Sequence, residues 1–164
     1  MGKDLYAAFP EARRCFDATA KLLGAEHLEV IFAGPAEKLT SSRFCQTAIY
    51  TMSCAALEAF RARYPEVSPV ACAGLSLGEY AALYAAGAFD YATGLKLLAR
   101  RAELMDAACR KSSGGMASVL KADPAVIEFG PGNVLTGLAK RTIPELRLVN
   151  INSAAALDTF QNQC

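Results

Sequence analysis

Apolar residues recur at spacings of three and four in several stretches of the chain, with short unbroken apolar runs between them. From Pro10 to Leu23, Phe16 and Leu22–Leu23 repeat on one side, Pro10 suits a first turn and Gly24 a stop, which predicts a helix. Gly24-Ala25-Glu26-His27 reads as a polar turn, and Ile31 to Pro35 as an apolar segment bounded by turns. Ser41 or Ser42 would cap a long helix running to about Arg63, with Ile49, Met52, Ala56 and Phe60 as its core stripe and Pro65 beyond its end. The run Val67-Ser68-Pro69-Val70-Ala71-Cys72-Ala73 predicts a buried strand. A helix over 77–86 closes at Gly87, and Asp90 caps another through Cys109 with Leu95, Leu98, Ala102 and Met105 on one face. Met116–Leu120 predicts a strand, Glu128-Phe129 a strand end before the Gly130-Pro131-Gly132 turn, and Leu146–Asn150 a last strand. A short helix ends at Lys140, and Ser153 caps the final one.

Helices alternating with short apolar strands predict an α/β fold. The expected architecture is one domain over residues 1–164, a three-layer sandwich with a short, mostly parallel sheet flanked by helices. A chain of 164 residues, 53% hydrophobic, is long and apolar enough for that core.

Charge narrows the function. The net charge of +1 comes from interspersed acidic and basic residues, which argues against a nucleic-acid surface or a polybasic membrane patch. The start lacks the apolar core of a signal peptide, and Tyr6 stands where myristoylation wants Ser or Thr. No run is long and apolar enough to span a bilayer. Six cysteines without C-x-x-C spacing read as reduced core thiols of a cytoplasmic protein, and a single histidine makes a metal site improbable.

The chemistry lies at Gly74-Leu75-Ser76-Leu77-Gly78, between the predicted strand and a helix. A G-x-S-x-G in that setting is a nucleophile elbow: small residues on both sides of the serine permit a tight turn, and the hydroxyl is thrown into the open. The N–H of Leu77, at the helix N-terminus, can donate to a developing oxyanion. The plainer reading of Ser76 is a capping serine at an ordinary strand–helix turn. His27, the only histidine, precedes the serine and reads as a solvated turn residue, not as its base. Gly130-Pro131-Gly132 reads as a structural turn before it reads as a phosphate loop. Arg101 beside Glu103, and Gln46 at a helix start, each have a plain structural reading as well.

Four stretches carry a resemblance. Gly74-Leu-Ser-Leu-Gly-Glu-Tyr-Ala-Ala-Leu83 is similar to the active-site segment of malonyl-CoA:acyl-carrier-protein transacylases and the acyltransferase domains of fatty-acid and polyketide synthases. Met1–Tyr6 with Phe9–Arg13, Phe32–Pro35 with Glu37–Thr40 and Gln46, and Glu128–Leu138 with Val149-Asn150 and Ala154–Leu157 resemble further stretches of that family in the same order. The resemblance implies an α/β-hydrolase-like core and ping-pong transfer. Ser76 would take the malonyl group from CoA as an ester and yield it to the pantetheine thiol of an acyl carrier protein. Arg101 would pair with the malonate carboxylate through its fork, Leu77 would supply an oxyanion donor, and Gln46 would line the site. No prosthetic group or metal is implied; the CoA thioester is a substrate.

The chain also departs from that pattern. It begins just after the family's opening strand and its Gly-Gln-Gly-Ser-Gln loop, and Leu75 stands where the nucleophile is usually preceded by histidine. Lys121–Ile127 occupies the interval in which the family carries a ferredoxin-like subdomain and its catalytic histidine, as if by an internal deletion. A missing general base costs a factor of ~10²–10⁴ and a missing oxyanion donor ~10²–10³, losses that overlap. The expectation is therefore a malonyltransferase by family, with turnover of this chain below the family's normal rate. The alternative is a non-catalytic remnant that binds carrier protein or CoA, and a serine esterase ranks last for want of a base.

Overall fold

The computed structural model describes residues 1–111, 126–129, 137, 140 and 148–159. Among these the chain is mostly helical. In order, it forms α1 (Lys3–Ala8), α2 (Pro10–Leu23), α3 (Ala25–Ala33), α4 (Ala36–Leu39), α5 (Ser42–Arg63), α6 (Gly78–Ala85), α7 (Tyr91–Lys111), β1 (Val126–Phe129), β2 (Leu148–Ile151) and α8 (Ala154–Thr159).

The centre is α5. Its sequence mixes large apolar residues with Ala48, Ser53, Cys54, Ala55, Ala56 and Ala59, so neighbouring helices approach from several directions, and fourteen of its residues are buried. A helix with no polar face belongs inside. Of the predicted stripe, Met52, Ala56 and Phe60 are buried and Ile49 is half-buried, while Thr47, Tyr50 and Thr51 on the other sides are buried as well. Around α5 pack α2, α3, α6 and α7, and β1 lies against it too. Gly94 lets α7 come close: a Cβ there would fall 2.2 Å from the Tyr50 hydroxyl oxygen.

Local punctuation follows the sequence closely. Pro10 opens α2 and Gly24 closes it. The Asp90 carboxylate accepts from the Thr93 N–H at 2.7 Å, and Ser153 Oγ accepts from the Ala156 N–H at 3.1 Å. Beyond α6, the Ala88 N–H returns to the Leu83 carbonyl at 2.9 Å around Gly87, whose φ of 75° only glycine adopts freely. Ser41 precedes α5 but turns its hydroxyl back to the Lys38 carbonyl at 2.8 Å and makes no side-chain cap.

The expected three-layer sandwich with a mostly parallel sheet is not the architecture. The only sheet among the described residues is the parallel pair β1–β2, which aligns Val126 with Leu148 and Phe129 with Ile151. Residues 67–73, predicted as a buried strand, form no strand and are mostly exposed, with Val70 fully so. The physical reason is pairing. An apolar run becomes a strand only when a neighbour takes its N–H and C=O groups, and no described residue stands beside this one in a ladder. The turn predicted at 24–27 and the first residues of the apolar segment Ile31–Pro35 belong to α3, which Gly24 and Gly34 bound, because Ala25, Glu26, Leu28 and Glu29 favour a helix and Val30 and Ile31 bury its apolar side. The strand predicted at 116–120, the 130–132 turn and most of the helix ending at Lys140 lie outside the described residues.

The far end of the chain returns to its start. The Asp4 carboxylate accepts the Ala154 N–H at 2.7 Å, the Tyr64 hydroxyl donates to the Leu157 carbonyl at 2.9 Å, and Arg63 pairs with Asp158 at 3.2 Å. A carboxylate at the first turn of α8 also suits the positive end of the helix.

Candidate active site

The elbow forms without a strand before it. Ser76 has φ 55°, the one non-glycine residue with positive φ among those described, at a cost of about 1 kcal/mol or more. The turn closes through the Gly78 N–H to the Leu75 carbonyl at 2.9 Å and the Glu79 N–H to the Ser76 carbonyl at 3.3 Å. The expectation of small residues on both sides holds on one side. A Cβ on Gly74 would fall 2.0 Å from the carbonyl carbon of Gly78, whereas one on Gly78 would meet nothing within 4 Å.

Three of the residues singled out in the sequence meet here. Arg101 Nη2 donates to Ser76 Oγ at 2.9 Å, and Arg101 Nη1 donates to Gln46 Oε1 in a short contact. The Gln46 amide is buried and its Nε2 donates to Met105 Sδ at 3.4 Å. Arg100, its sequence neighbour, instead pairs with Glu103 at 2.9 Å on the exposed face of α7. The fourth, Leu77, is the residue before α6, and among the described residues its N–H has no acceptor. A guanidinium and the positive end of α6 thus flank one exposed hydroxyl, a setting that favours anionic groups.

Placement of Arg101 begins nearly three turns upstream, at the start of α7. Tyr91 Oη lies 2.6 Å from Thr19 Oγ1, Thr19 Oγ1 lies 2.8 Å from Thr51 Oγ1, and Thr51 donates to the Thr47 carbonyl at 2.8 Å. Tyr91 Oη also donates to Thr51 Oγ1 at 3.0 Å and Thr19 Oγ1 to the Cys15 carbonyl at 3.1 Å, so the three hydroxyls form a branched relay that ends on the Cys15 and Thr47 carbonyls. Burial pushes the Tyr91 phenol far above the ordinary tyrosine range, so it remains a donor. Tyr50 stacks on Tyr91 at 5.3 Å and Tyr84 meets both edge-on. Tyr84 and Arg61 both donate to Glu58 Oε1 at 2.9 Å, and Arg61 also donates to the Ala85 carbonyl at 2.6 Å, which fastens the end of α6.

His27 is not the solvated turn residue expected. It lies on α3, 5% exposed, with its ring 4.6 Å from that of Phe44 and its Nδ1 buried without a hydrogen-bond partner. Burial, and then the nearby Arg43 cation, holds its imidazole below the usual histidine range. Among the described residues the partner of Ser76 Oγ is Arg101, which has protons to give and no site to receive one. The thiols expected in the core divide. Cys15 and Cys54 are buried, and burial pushes the Cys15 thiol up to about 12, while Cys72 and Cys109 are exposed; all four are free. Met105 escaped the sequence reading as a site residue; its position four after Arg101, on the same helix face, was the available signal.

The site thus combines an exposed serine at positive φ, a helix N-terminus and a guanidinium, and the comparisons with known proteins place the chain in a class of transferases. A family described as "Acyl transferase domain" matches residues 1–140. The malonyl CoA-acyl carrier protein transacylase of Bacillus subtilis is 38% identical over 128 residues, which cover 78% of this chain and 40% of that protein. The probable mitochondrial malonyl-CoA-acyl carrier protein transacylase of Drosophila melanogaster is 41% identical, over 99% of this chain and 46% of its own length. A solved malonyl-transacylase in complex with a type II PKS acyl-carrier protein superposes with a TM-score of 0.80 at 20% identity, covering 100% of this chain and 95% of that one, a likeness of fold. The chain belongs to the malonyl-CoA:acyl-carrier-protein transacylase family of acyl transferase domains. It spans less than half the length of the curated relatives it matches. Relatives include proteins named as mitochondrial, and no helix among the described residues is long and apolar enough to cross a membrane.

Proposed function

We propose that Ser76 is the nucleophile of a malonyl transfer from CoA to the pantetheine thiol of an acyl carrier protein. The observation that carries this reading is the 2.9 Å contact from Arg101 Nη2 to Ser76 Oγ at a backbone turn of positive φ. A malonyl thioester has an electrophilic carbonyl and, one methylene away, a carboxylate. With the serine at the carbonyl, the guanidinium beside it is in reach of the carboxylate, and a bidentate fork suits that group. Oγ forms its bond to the carbonyl carbon, the Leu77 N–H donates to the oxyanion, and the C–S bond breaks. The serine proton ends on the departing CoA sulfur. In the second half the carrier thiol attacks the ester and the proton returns to Oγ.

The absence of an acceptor for the serine proton among the described residues supports the second reading, a binding module with weak or no turnover. A donated hydrogen bond from Arg101 also makes the resting oxygen a poorer nucleophile, so the bond must be surrendered to substrate before attack.

Intact mass after incubation with malonyl-CoA tests both readings. The expected result is a single malonyl adduct on the wild type and none on Ser76→Ala. In Arg101→Ala the malonyl adduct should form roughly 10- to 100-fold more slowly, the range of a lost charged hydrogen bond. Acetyl adduct formation should change little. A folded wild type without adduct rejects the transferase and leaves the binding module.

A further inference from the structure

We propose that Met105 is a positioning residue that sets the malonyl preference of the site by fixing which way the Gln46 amide faces. This rests on the malonyl-transfer reading above.

The two ends of a glutamine amide are nearly equal in shape and opposite in hydrogen-bonding sense. Gln46 is 6% exposed, so bulk water does not choose between them. Two neighbours do. Arg101 Nη1 is only a donor and faces Oε1; Met105 Sδ has no proton and, at 3.4 Å, accepts from Nε2. Reversing the amide would set NH₂ against guanidinium and oxygen against the sulfur lone pairs, losing both contacts at once. Met105 follows Arg101 by one helical turn on α7, so the residue that aims the glutamine and the residue the glutamine aims are carried by one rigid element.

The consequence is at Arg101. With Nη1 held by Gln46, Nη2 is the corner presented to Ser76, and the guanidinium plane keeps one orientation while substrate arrives. Without the sulfur, Nε2 has no acceptor and the amide is held at its oxygen end alone, so the Gln46–Arg101 pair is free to rock. Arg101 then samples orientations in which its fork does not meet a carboxylate attached to the acyl carbon. Attack on an acyl group without a carboxylate does not depend on that orientation. Met105 therefore acts on selectivity: loosening the Arg101 bond to Ser76 Oγ affects attack on both donors alike, and only the malonyl group loses a partner for its carboxylate.

The experiment compares the wild type, Met105→Leu and Met105→Gln by rates of Ser76 acylation from malonyl-CoA and from acetyl-CoA, read by intact mass. Leucine keeps the apolar bulk and removes the acceptor; glutamine restores an acceptor at similar reach. Met105→Leu should lower the malonyl-to-acetyl rate ratio by about three- to tenfold, the range of one lost neutral hydrogen bond, and Met105→Gln should regain most of it. Equal slowing with both donors, or an unchanged ratio, overturns the proposal. A second readout needs no turnover: the ¹⁵N-edited signals of the Gln46 side-chain amide. Amide proton shifts displaced from those of a free glutamine in the wild type, and moved toward free values in Met105→Leu, support the positioning. Identical Gln46 signals in the two proteins reject it. If the wild type takes up no acyl group at all, the transferase reading fails while the amide signals still decide the role of Met105.

Discussion

Two sets of hydroxyl groups in this protein have the same chemistry and opposite fates. In the core, Thr19, Thr51 and Tyr91 sit where α2, α5 and α7 meet, and each proton has an acceptor within 2.8 Å. At the elbow, Ser76 is exposed, its backbone is held at a positive φ, and its described partner is a cation that donates to it. The difference teaches that environment, and not residue type, decides whether a hydroxyl holds a fold together or stands ready for substrate. A satisfied relay spends its lone pairs on its neighbours. An exposed serine on a strained turn keeps a lone pair for an electrophile, and the strain is borne by helices packed elsewhere.

The comparison breaks first in the core. Tyr91→Phe removes the hydroxyl that meets both Thr19 Oγ1 and Thr51 Oγ1, so stability should fall by about 1–3 kcal/mol. Urea unfolding measures it, and the same variant should loosen Arg101, since α7 carries both. At the elbow the opposite sign is expected. Ser76→Gly relieves a left-handed backbone and should stabilise the protein by up to about 1 kcal/mol while abolishing any acyl adduct. A loss of stability there would mean that the turn is not under strain.

The smallest effect is one of pH. His27 in the folded protein is held below its ordinary value of 6.5, chiefly by burial. The unfolded chain therefore binds more protons than the folded one as pH falls through 6.5, and the stability tied to the neutral imidazole is present above that value and lost below it. The groups around it are Glu26, which pairs with Lys38, the Arg43 cation, and the Phe44 ring on which Lys38 and Arg43 also lie. Urea midpoints between about pH 7.5 and about pH 5 should drop for the wild type and drop less for His27→Leu. Equal slopes in the two proteins would remove His27 from the account.

Much of this was legible in the chain because it is local. Pro10 and Gly24 bound α2, Asp90 and Ser153 cap the helices they precede, and the turn at Gly74-Leu75-Ser76-Leu77-Gly78 closes because Gly74 has no side chain. The same applies to the family, whose motifs lie in short contiguous stretches. The sheet was not legible. An apolar run such as 67–73 carries the composition of a buried strand but not the neighbour that would make it one, and the described residues supply none. His27 was misjudged for the same reason: Gly24-Ala25-Glu26-His27 looks polar along the chain, yet the fold sets its ring against Phe44 from another helix.

What the sequence alone determined, then, is the features whose cause lies within a few residues: the ends of α2, the caps at Asp90 and Ser153, and the serine turn. What tertiary structure decided is adjacency. Gln46, Ser76, Arg101 and Met105 lie on three stretches of chain, and no periodicity relates the first to the others. They meet because α5 is small-sided enough for α7 to close on it at Gly94 and Tyr50, which sets the guanidinium between an amide and a hydroxyl. Packing is a property of surfaces in three dimensions, and a one-dimensional pattern states which surfaces exist without stating which of them touch.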